Sequence, residues 1–230
     1  MAGIFVTGTD TGVGKTRAAV ALLEALKAGG IRGVGMKPVA AGCEQVGGEW
    51  VNEDVARLRA ASAVSAPNAL INPYLLREPI APHIAAERAG QRIELAPIVA
   101  ACRDLERLAD CVVVEGVGGF RVPLNEREDT ADLAVALGLP VLLVVGLRLG
   151  CLNHALLSAE AIAARGLTLI GWIANSIDPV MPAHTENVRS LQERLAVPCL
   201  GEWPWLENTS ALKTGNPLDL DPILSGIAGR

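Results

Sequence analysis

The sequence predicts an α/β protein in which helices flank a mostly parallel central sheet, giving three layers. Short apolar runs alternate with helical periodicities along nearly the whole chain. Repeated strand–helix–strand units of that kind demand parallel strands joined by right-handed crossovers. The first such run passes directly into a glycine-rich loop and then a helix. Half of the 230 residues are apolar but only 3% are aromatic, so aliphatic side chains must do most of the packing. That bias suits helices lying closely on a parallel sheet buried on both faces.

Ile4 to Thr7 reads as the first strand. Ala19, Leu22, Leu23 and Leu26 then recur at the spacing of one helix face, and Gly29-Gly30 stops that helix. Gly33 to Val39 is predicted as the second strand. Ile98, Cys102, Leu105 and Leu108 place a helix over Pro97 to Leu108, followed by the strand Cys111 to Glu115. A helix near Ala131 to Leu137, the strand Val141 to Val145 and a helix from about Asn153 to Ala164 come next. The strand Leu169 to Ala174, a helix near Ala183 to Leu195 and a short strand at Cys199 to Glu202 complete the series.

No internal repeat, linker or low-complexity stretch interrupts the pattern, so residues 1–230 are expected to form one domain. Glu44 to Pro82 is the least regular region, with Gly47-Gly48 and several prolines, and is expected to be loops over the site. The stretch from about Asn208 to Arg230 is weakly patterned and is expected to fray. A formal net charge of −5 argues against a broad nucleic-acid footprint. The N-terminus lacks a basic region and reads as a strand rather than a signal peptide. The longest apolar run, around Leu139 to Leu147, is too short to cross a bilayer. A cytoplasmic protein with no membrane partner is the expectation. Cys43, Cys102, Cys111, Cys151 and Cys199 are odd in number, contain no C-x-x-C pair and have apolar neighbours, which favours buried free thiols.

The sharpest signal is Gly8-Thr9-Asp10-Thr11-Gly12-Val13-Gly14-Lys15-Thr16, placed between a strand and a helix as a phosphate-binding P-loop requires. Small residues let backbone N–H groups turn toward phosphate oxygens, and the helix N-terminus adds its positive end. Lys15 is expected to reach the β- and γ-phosphates and the Thr16 hydroxyl to bind Mg²⁺. The first glycine sits one residue earlier than in G-x-x-x-x-G-K-[ST], so the loop is a lengthened variant. With this loop, the layered sheet is that of a P-loop NTPase. Only four lysines accompany sixteen arginines, and Lys15 and Lys37 both fall at strand ends, where a compact ammonium suits phosphate chemistry.

Nucleotide-bound Mg²⁺ takes hard oxygen ligands, commonly a hydroxyl and one or two carboxylates. Glu115 ends the Val112-Val113-Val114 strand and precedes Gly116-Val117-Gly118-Gly119, in the crevice where α/β proteins bind ligands. Asp54 suits either a metal ligand or a helix first-turn charge. Asn175 follows the Trp172-Ile173-Ala174 strand with an amide that reads donor and acceptor on a base, or caps a turn. His83, His154 and His184 show no ligand spacing. Trp203 and Trp205 flank Pro204 as packing residues beside a base.

The chain resembles dethiobiotin synthetases in its opening Phe5-Val6-Thr7-Gly8-Thr9-Asp10-Thr11-Gly12-Val13-Gly14-Lys15-Thr16 and in Lys37-Pro38-Val39, Asn72-Pro73-Tyr74 and Pro82-His83-Ile84. The likeness continues through Val114 to Gly119, Leu149 to Ala155, Gly171 to Asn175 and Gly201 to Trp205, in order and without a large gap. The resemblance implies a homodimeric ligase with active sites at the subunit interface. It would convert 7,8-diaminononanoate, CO₂ (or bicarbonate) and ATP to dethiobiotin, ADP and phosphate, through a carbamate and a carbamic–phosphoric anhydride. It implies Mg²⁺ held by Thr16, Asp54 and Glu115. Nucleotide contacts would run through Gly12, Val13, Gly14, Lys15, Thr16, Arg17, Asp54, Glu115, Gly116, Val117 and Gly118. Asn175, Ser176, Pro204, Trp205 and Leu206 would hold the base. Thr11, Lys15 and Lys37 would serve catalysis, with Thr11 and Lys37 also touching substrate. Gly150, Cys151, Leu152 and Asn153 would take the carboxylate of the other subunit's substrate at a helix start.

Two positions depart from the family pattern. Ala41 and Ala81 stand where members carry hydroxyl residues, which removes potential substrate hydrogen bonds. Among alternatives, a cobyrinate amidase-type synthase would carry an added glutaminase domain. A switch ATPase of the septum-positioning or partition class would carry a lysine early in the loop, where Thr9, Asp10 and Thr11 stand here.

Overall fold

The structure, a computed structural model, describes residues 3–206 and 218. Elements run β1 (Gly3–Gly8), α1 (Lys15–Ala28), β2 (Gly33–Met36), β3 (Val39–Ala41), β4 (Glu44–Val46), β5 (Glu49–Val51), α2 (Glu53–Ala61), α3 (Asn68–Ile71) and β6 (Tyr74–Leu76). They continue with α4 (Pro82–Arg88), α5 (Leu95–Leu108), β7 (Cys111–Glu115), α6 (Thr130–Leu137), β8 (Val141–Leu147), α7 (Cys151–Ala164), β9 (Leu169–Ser176), α8 (His184–Arg194) and β10 (Cys199–Trp203).

Six strands form one sheet in the order β10-β9-β8-β1-β7-β2, and every neighbouring pair is parallel. Both faces are covered, as the valine- and leucine-rich strands require. Ile4, Val6, Cys111, Val113, Leu142 and Val144 face α1 and α2, packing on Leu22, Leu23, Leu26 and Leu58. Phe5, Val112, Val114 and Val141 point to the other face, against Ile98, Cys102 and Leu105 of α5 and Leu133 of α6. Farther along that face, Leu143, Val145 and Trp172 meet Cys151 and Ala155 of α7 and Val188 and Leu191 of α8. Order of this kind places all six strand C-termini along one edge, with the P-loop between β1 and α1 at its centre.

Several boundaries differ from the sequence reading. The strand predicted over Gly33 to Val39 is two strands. Lys37 donates its backbone N–H to Ile71 rather than to β7, and Pro38 has none to give, so the chain leaves the main sheet. Val39–Ala41 then pairs with Tyr74–Leu76 in a separate two-stranded sheet. Glu44 to Pro82 is not only loops. It contains an antiparallel hairpin, β4 with β5, turned by Gly47 and Gly48 at positive φ, and the helix α2, whose N-cap Asn52 accepts from Val55 N–H. Helix α7 begins at Cys151, two residues before the predicted start, and α8 begins at His184 after Ala183 at φ 54°. Cys102, Cys111 and Cys151 are buried and all five cysteines are free, but Cys43 and Cys199 are only half-buried. The tail expected to fray, from about Asn208, lies outside the described residues apart from Leu218.

Candidate active site

The P-loop leaves β1 at Gly8 and enters α1 at Gly14, whose φ of 98° lies in the left-handed region open to glycine. A Cβ there would also stand 2.4 Å from Asn175 Nδ2, so glycine is required twice over. The lengthened segment is tied to β8: Thr9 N–H donates to Val144 O at 3.0 Å, and Thr9 Oγ1 accepts from Gly146 N–H at 3.3 Å. Asp10 pairs with Arg148 at 2.6 Å and its carbonyl accepts from Lys15 Nζ at 2.8 Å. The extra residue therefore anchors the loop to the neighbouring strand.

Beside the loop, side chains from α1, α2, β7 and the turn after β2 converge. Thr16 Oγ1 lies 2.7 Å from Asp54 Oδ1 and 2.9 Å from Glu115 Oε1. Lys37 Nζ lies 2.5 Å from Glu115 Oε1, 3.1 Å from Asp54 Oδ2 and 3.2 Å from Gly116 O. Asp54 reaches the cluster because α2 packs tightly on β2, where a Cβ at Gly35 would lie 2.8 Å from Leu58 Cβ. Asp54 and Leu58 are one turn apart, on the same helix face.

Charge is balanced here by two lysines and two carboxylates. Burial would lower the Lys37 ammonium, but Glu115 and Asp54 outweigh it and hold its pKa above the ordinary lysine value. Burial first, and Lys37 second, lower Lys15 to about 8. Burial disfavours the Asp54 carboxylate too, yet Lys37 and the Thr16 hydroxyl hold its pKa below the usual range. Glu115 Oε2 is buried without a hydrogen-bond partner, an uncompensated acceptor beside a hydroxyl and a second carboxylate. This donor set fits Mg²⁺, which keeps several waters and takes only one or two carboxylates. Among the described residues no group of three or more His, Cys, Asp or Glu converges as a metal cage.

A cavity of about 900 Å³ opens over this cluster. Asp10, Thr11, Gly12, Gly14, Lys15, Thr16 and Arg17 line its centre, and Lys37, Asp54, Arg57 and Glu115 line the β7 and β2 side. Beyond them Ala41, Pro79, Ile80, Ala81, Pro82, Val117 and Val122 form an apolar wall. Asn175, Ser176, Ile177, Trp205 and Leu206 line the opposite, β9 and β10, end. There Asn175 Nδ2 donates to Val13 O at 2.9 Å and Asn175 Oδ1 accepts from Arg17 at 2.7 Å. Arg17 also donates to Pro204 O at 3.2 Å and stacks 4.8 Å from the Trp203 ring centroid. A smaller cavity of about 440 Å³ adjoins at Ser176 and Trp205.

Comparison with known proteins decides the family. A family model described as an AAA domain matches residues 2–213. An ATP-dependent dethiobiotin synthetase from Aromatoleum aromaticum is 59% identical over 87% of this chain and 89% of its own. Another, from Ralstonia nicotianae, is 55% identical over 96% of each. The chain belongs to the dethiobiotin synthetase family. Among solved structures, the septum site-determining protein MinD from Pyrococcus horikoshii superposes with a TM-score of 0.53 at 15% identity, over 88% of this chain and 81% of that one. Likeness at that distance reflects the shared P-loop NTPase fold alone.

Most of the residues expected of this family's site meet in one place: Thr11, Gly12, Gly14, Lys15, Thr16, Arg17, Lys37, Asp54, Glu115, Val117, Gly118, Asn175, Ser176, Trp205 and Leu206 line the cavity. Val13, Gly116 and Pro204 touch it only through backbone carbonyls that hold Asn175, Lys37 and Arg17. Gly150, Cys151, Leu152 and Asn153 do not reach it. They form the start of α7, after the 90%-exposed Leu149. Sequence reasoning missed Asp10, Arg57, Ile80 and Val122. Arg57 follows Asp54 by three residues on α2, a helical spacing that marks it once the helix is known. The apolar wall carries no motif and shows itself only in three dimensions.

Proposed function

We propose that the chain closes the ureido ring of dethiobiotin from 7,8-diaminononanoate and CO₂, consuming ATP with Mg²⁺ and releasing ADP and phosphate. The observation that carries this reading is the Thr16–Asp54–Glu115–Lys37 cluster at the foot of a P-loop cavity with an apolar far wall. One amine of the substrate takes up CO₂ as a carbamate. A carbamate oxygen accepts the γ-phosphoryl group, and the second amine then attacks the carbon and expels phosphate.

The chain's contribution is positioning and charge neutralisation, which phosphoryl transfer needs more than a covalent nucleophile. P-loop N–H groups and Lys15 hold the phosphates. Lys37 and Thr11 face the carbamate and the transferring oxygens, and Lys37 stays charged through its two carboxylate neighbours. Thr16, Asp54 and Glu115 would hold Mg²⁺, which would supply charge neutralisation to the phosphates. Ala41, Ile80, Ala81 and Pro82 suit the methylene chain of the diamine better than a polar partner. The loss of two hydroxyls there leaves that contact apolar.

The whole chain acts as one synthetase unit and pairs as a homodimer, with each α7 start, Gly150 to Asn153, receiving the carboxylate of substrate in the other copy. Gly150 has no side chain to cap the first N–H groups of α7, and Leu149 before the helix and Leu157 within it are exposed apolar groups that a second copy covers. The free thiols fit a cytoplasmic location, and among the described residues no helix is long and apolar enough to cross a membrane. The test supplies ATP, Mg²⁺, bicarbonate and 7,8-diaminononanoate and follows dethiobiotin by mass spectrometry. ATP hydrolysis indifferent to the diamine would contradict the reading.

A further inference from the structure

The edge order of the sheet fixes which way a nucleotide lies. The carboxylates and Lys37 stand on the β7 and β2 side of the P-loop, so the base extends the other way, to the C-terminal ends of β9 and β10. Ser176 closes that end, lining both the main cavity and the smaller one beside it. Its Oγ lies 2.8 Å from His184 Nε2, and His184 Nδ1 lies 3.7 Å from Glu202 Oε1.

This chain of three has a direction. Glu202 is too far from Nδ1 for a hydrogen bond, but its negative charge beside that nitrogen favours the tautomer that carries its hydrogen there. Nε2 is then a bare lone pair, and the Ser176 hydroxyl donates its one hydrogen to it. What Ser176 offers the cavity is lone pairs alone. Asp178 and Glu202, the acidic groups of the smaller cavity, are likewise acceptors. Trp203 Nε1 is a donor, but it is buried out of reach.

We propose that Ser176, set by His184 and Glu202, selects the exocyclic amino group of the nucleobase and rejects an oxo group at the same place. The inference rests on the nucleotide use proposed above. Ser176 is the specificity-determining contact, and His184 is a positioning residue that acts through it. A 6-oxo purine would set its own lone pairs against those of the hydroxyl and lose a hydrogen bond. An unmet pairing of that kind weakens binding roughly ten- to a hundredfold.

The test compares equilibrium binding of Mg·ATP and Mg·ITP at about pH 8, by competition against a fluorescent nucleotide, so that it does not depend on turnover. The full-length protein should prefer ATP by about tenfold or more. Ser176→Ala should bring the two affinities within about threefold by weakening ATP. His184→Phe should narrow the gap from the other side, because the freed hydroxyl turns and donates to the oxo oxygen. His184→Gln, which can offer an amide oxygen in place of Nε2, should restore part of the preference. An ATP to ITP ratio near one in the parent protein would overturn the proposal, and so would an unchanged ratio in Ser176→Ala. Absence of dethiobiotin formation with ATP would instead defeat the proposed function and leave this ratio readable.

Discussion

Single residues carry the electrostatics, and they were unevenly legible. Lys15, Thr16 and Glu115 are marked by motif and by position at a strand end. Asp54 is not marked by its pattern, because an acidic residue at a helix start is satisfied by the helix dipole alone; its contacts with Thr16 at 2.7 Å and Lys37 at 3.1 Å separate the two readings. Asn175 offered a similar ambiguity. Its amide does cap a loop, through Val13 O and Arg17, and it lines the cavity as well. Glu115 tests the metal assignment most cleanly, since its Oε2 is buried without a partner. Glu115→Gln keeps the shape and removes a negative charge. It should raise the Mg²⁺ concentration for half-maximal activity by about tenfold or more, measured by Mg²⁺ titration at saturating ATP. An unmoved titration curve would remove Glu115 from the metal site.

Elements succeed or fail by their periodicity. α1 and α5 are legible because Leu22, Leu23 and Leu26, and Ile98, Cys102 and Leu105, form buried stripes, although α5 begins two residues before Pro97 and Leu108, expected on its stripe, is exposed. α2 escaped notice because it is only nine residues long and buries a single side chain, Leu58. One apolar residue sets no period. The second strand was overextended for a different reason: Lys37 and Pro38 continue an apolar run whose hydrogen bonds go elsewhere. Since Leu58 fixes α2 on β2 and Asp54 shares its face, the helix is a mounting for the metal site. Leu58→Ala should destabilise the fold by about 2–5 kcal/mol and also raise the Mg²⁺ requirement, although Leu58 is not among the residues that line the site cavity. Denaturant melts and the same Mg²⁺ titration check both halves. Lost stability with an unchanged Mg²⁺ requirement would detach α2 from the site.

For the whole molecule, the sequence announced the class, a parallel α/β layering, from its alternating runs. It did not announce the order β10-β9-β8-β1-β7-β2, because strand neighbours are chosen by packing between segments far apart in the chain. That order decides that the metal cluster and the base lie on opposite sides of the P-loop. The tightly packed core also predicts how stability responds to alkali. Burial pushes the Cys102 thiol up to about 12 and the Cys111 thiol up to about 11, from an ordinary 9.0. Above about pH 9 the unfolded chain therefore loses protons that the folded one keeps. The thiols' contribution is full below pH 9 and falls above it by up to about 1.4 kcal/mol per pH unit for each thiol, against a rise from Lys15, which is lowered to about 8 in the folded chain and so loses its proton first there. Urea midpoints at pH 8 and 10.5, compared between the parent and Cys102→Ala with Cys111→Ala, isolate the thiol part: the parent should lose more stability, or gain less, than the double variant, and equal changes in the two would contradict it.

The central claim is that ATP activates a carbamate rather than water, and isotope transfer tests it most directly. With ¹⁸O-labelled bicarbonate and the diamine, one labelled oxygen should leave with each inorganic phosphate while another remains in the urea carbonyl. Phosphate released without label would mean that water took the phosphoryl group, and would contradict the synthetase account.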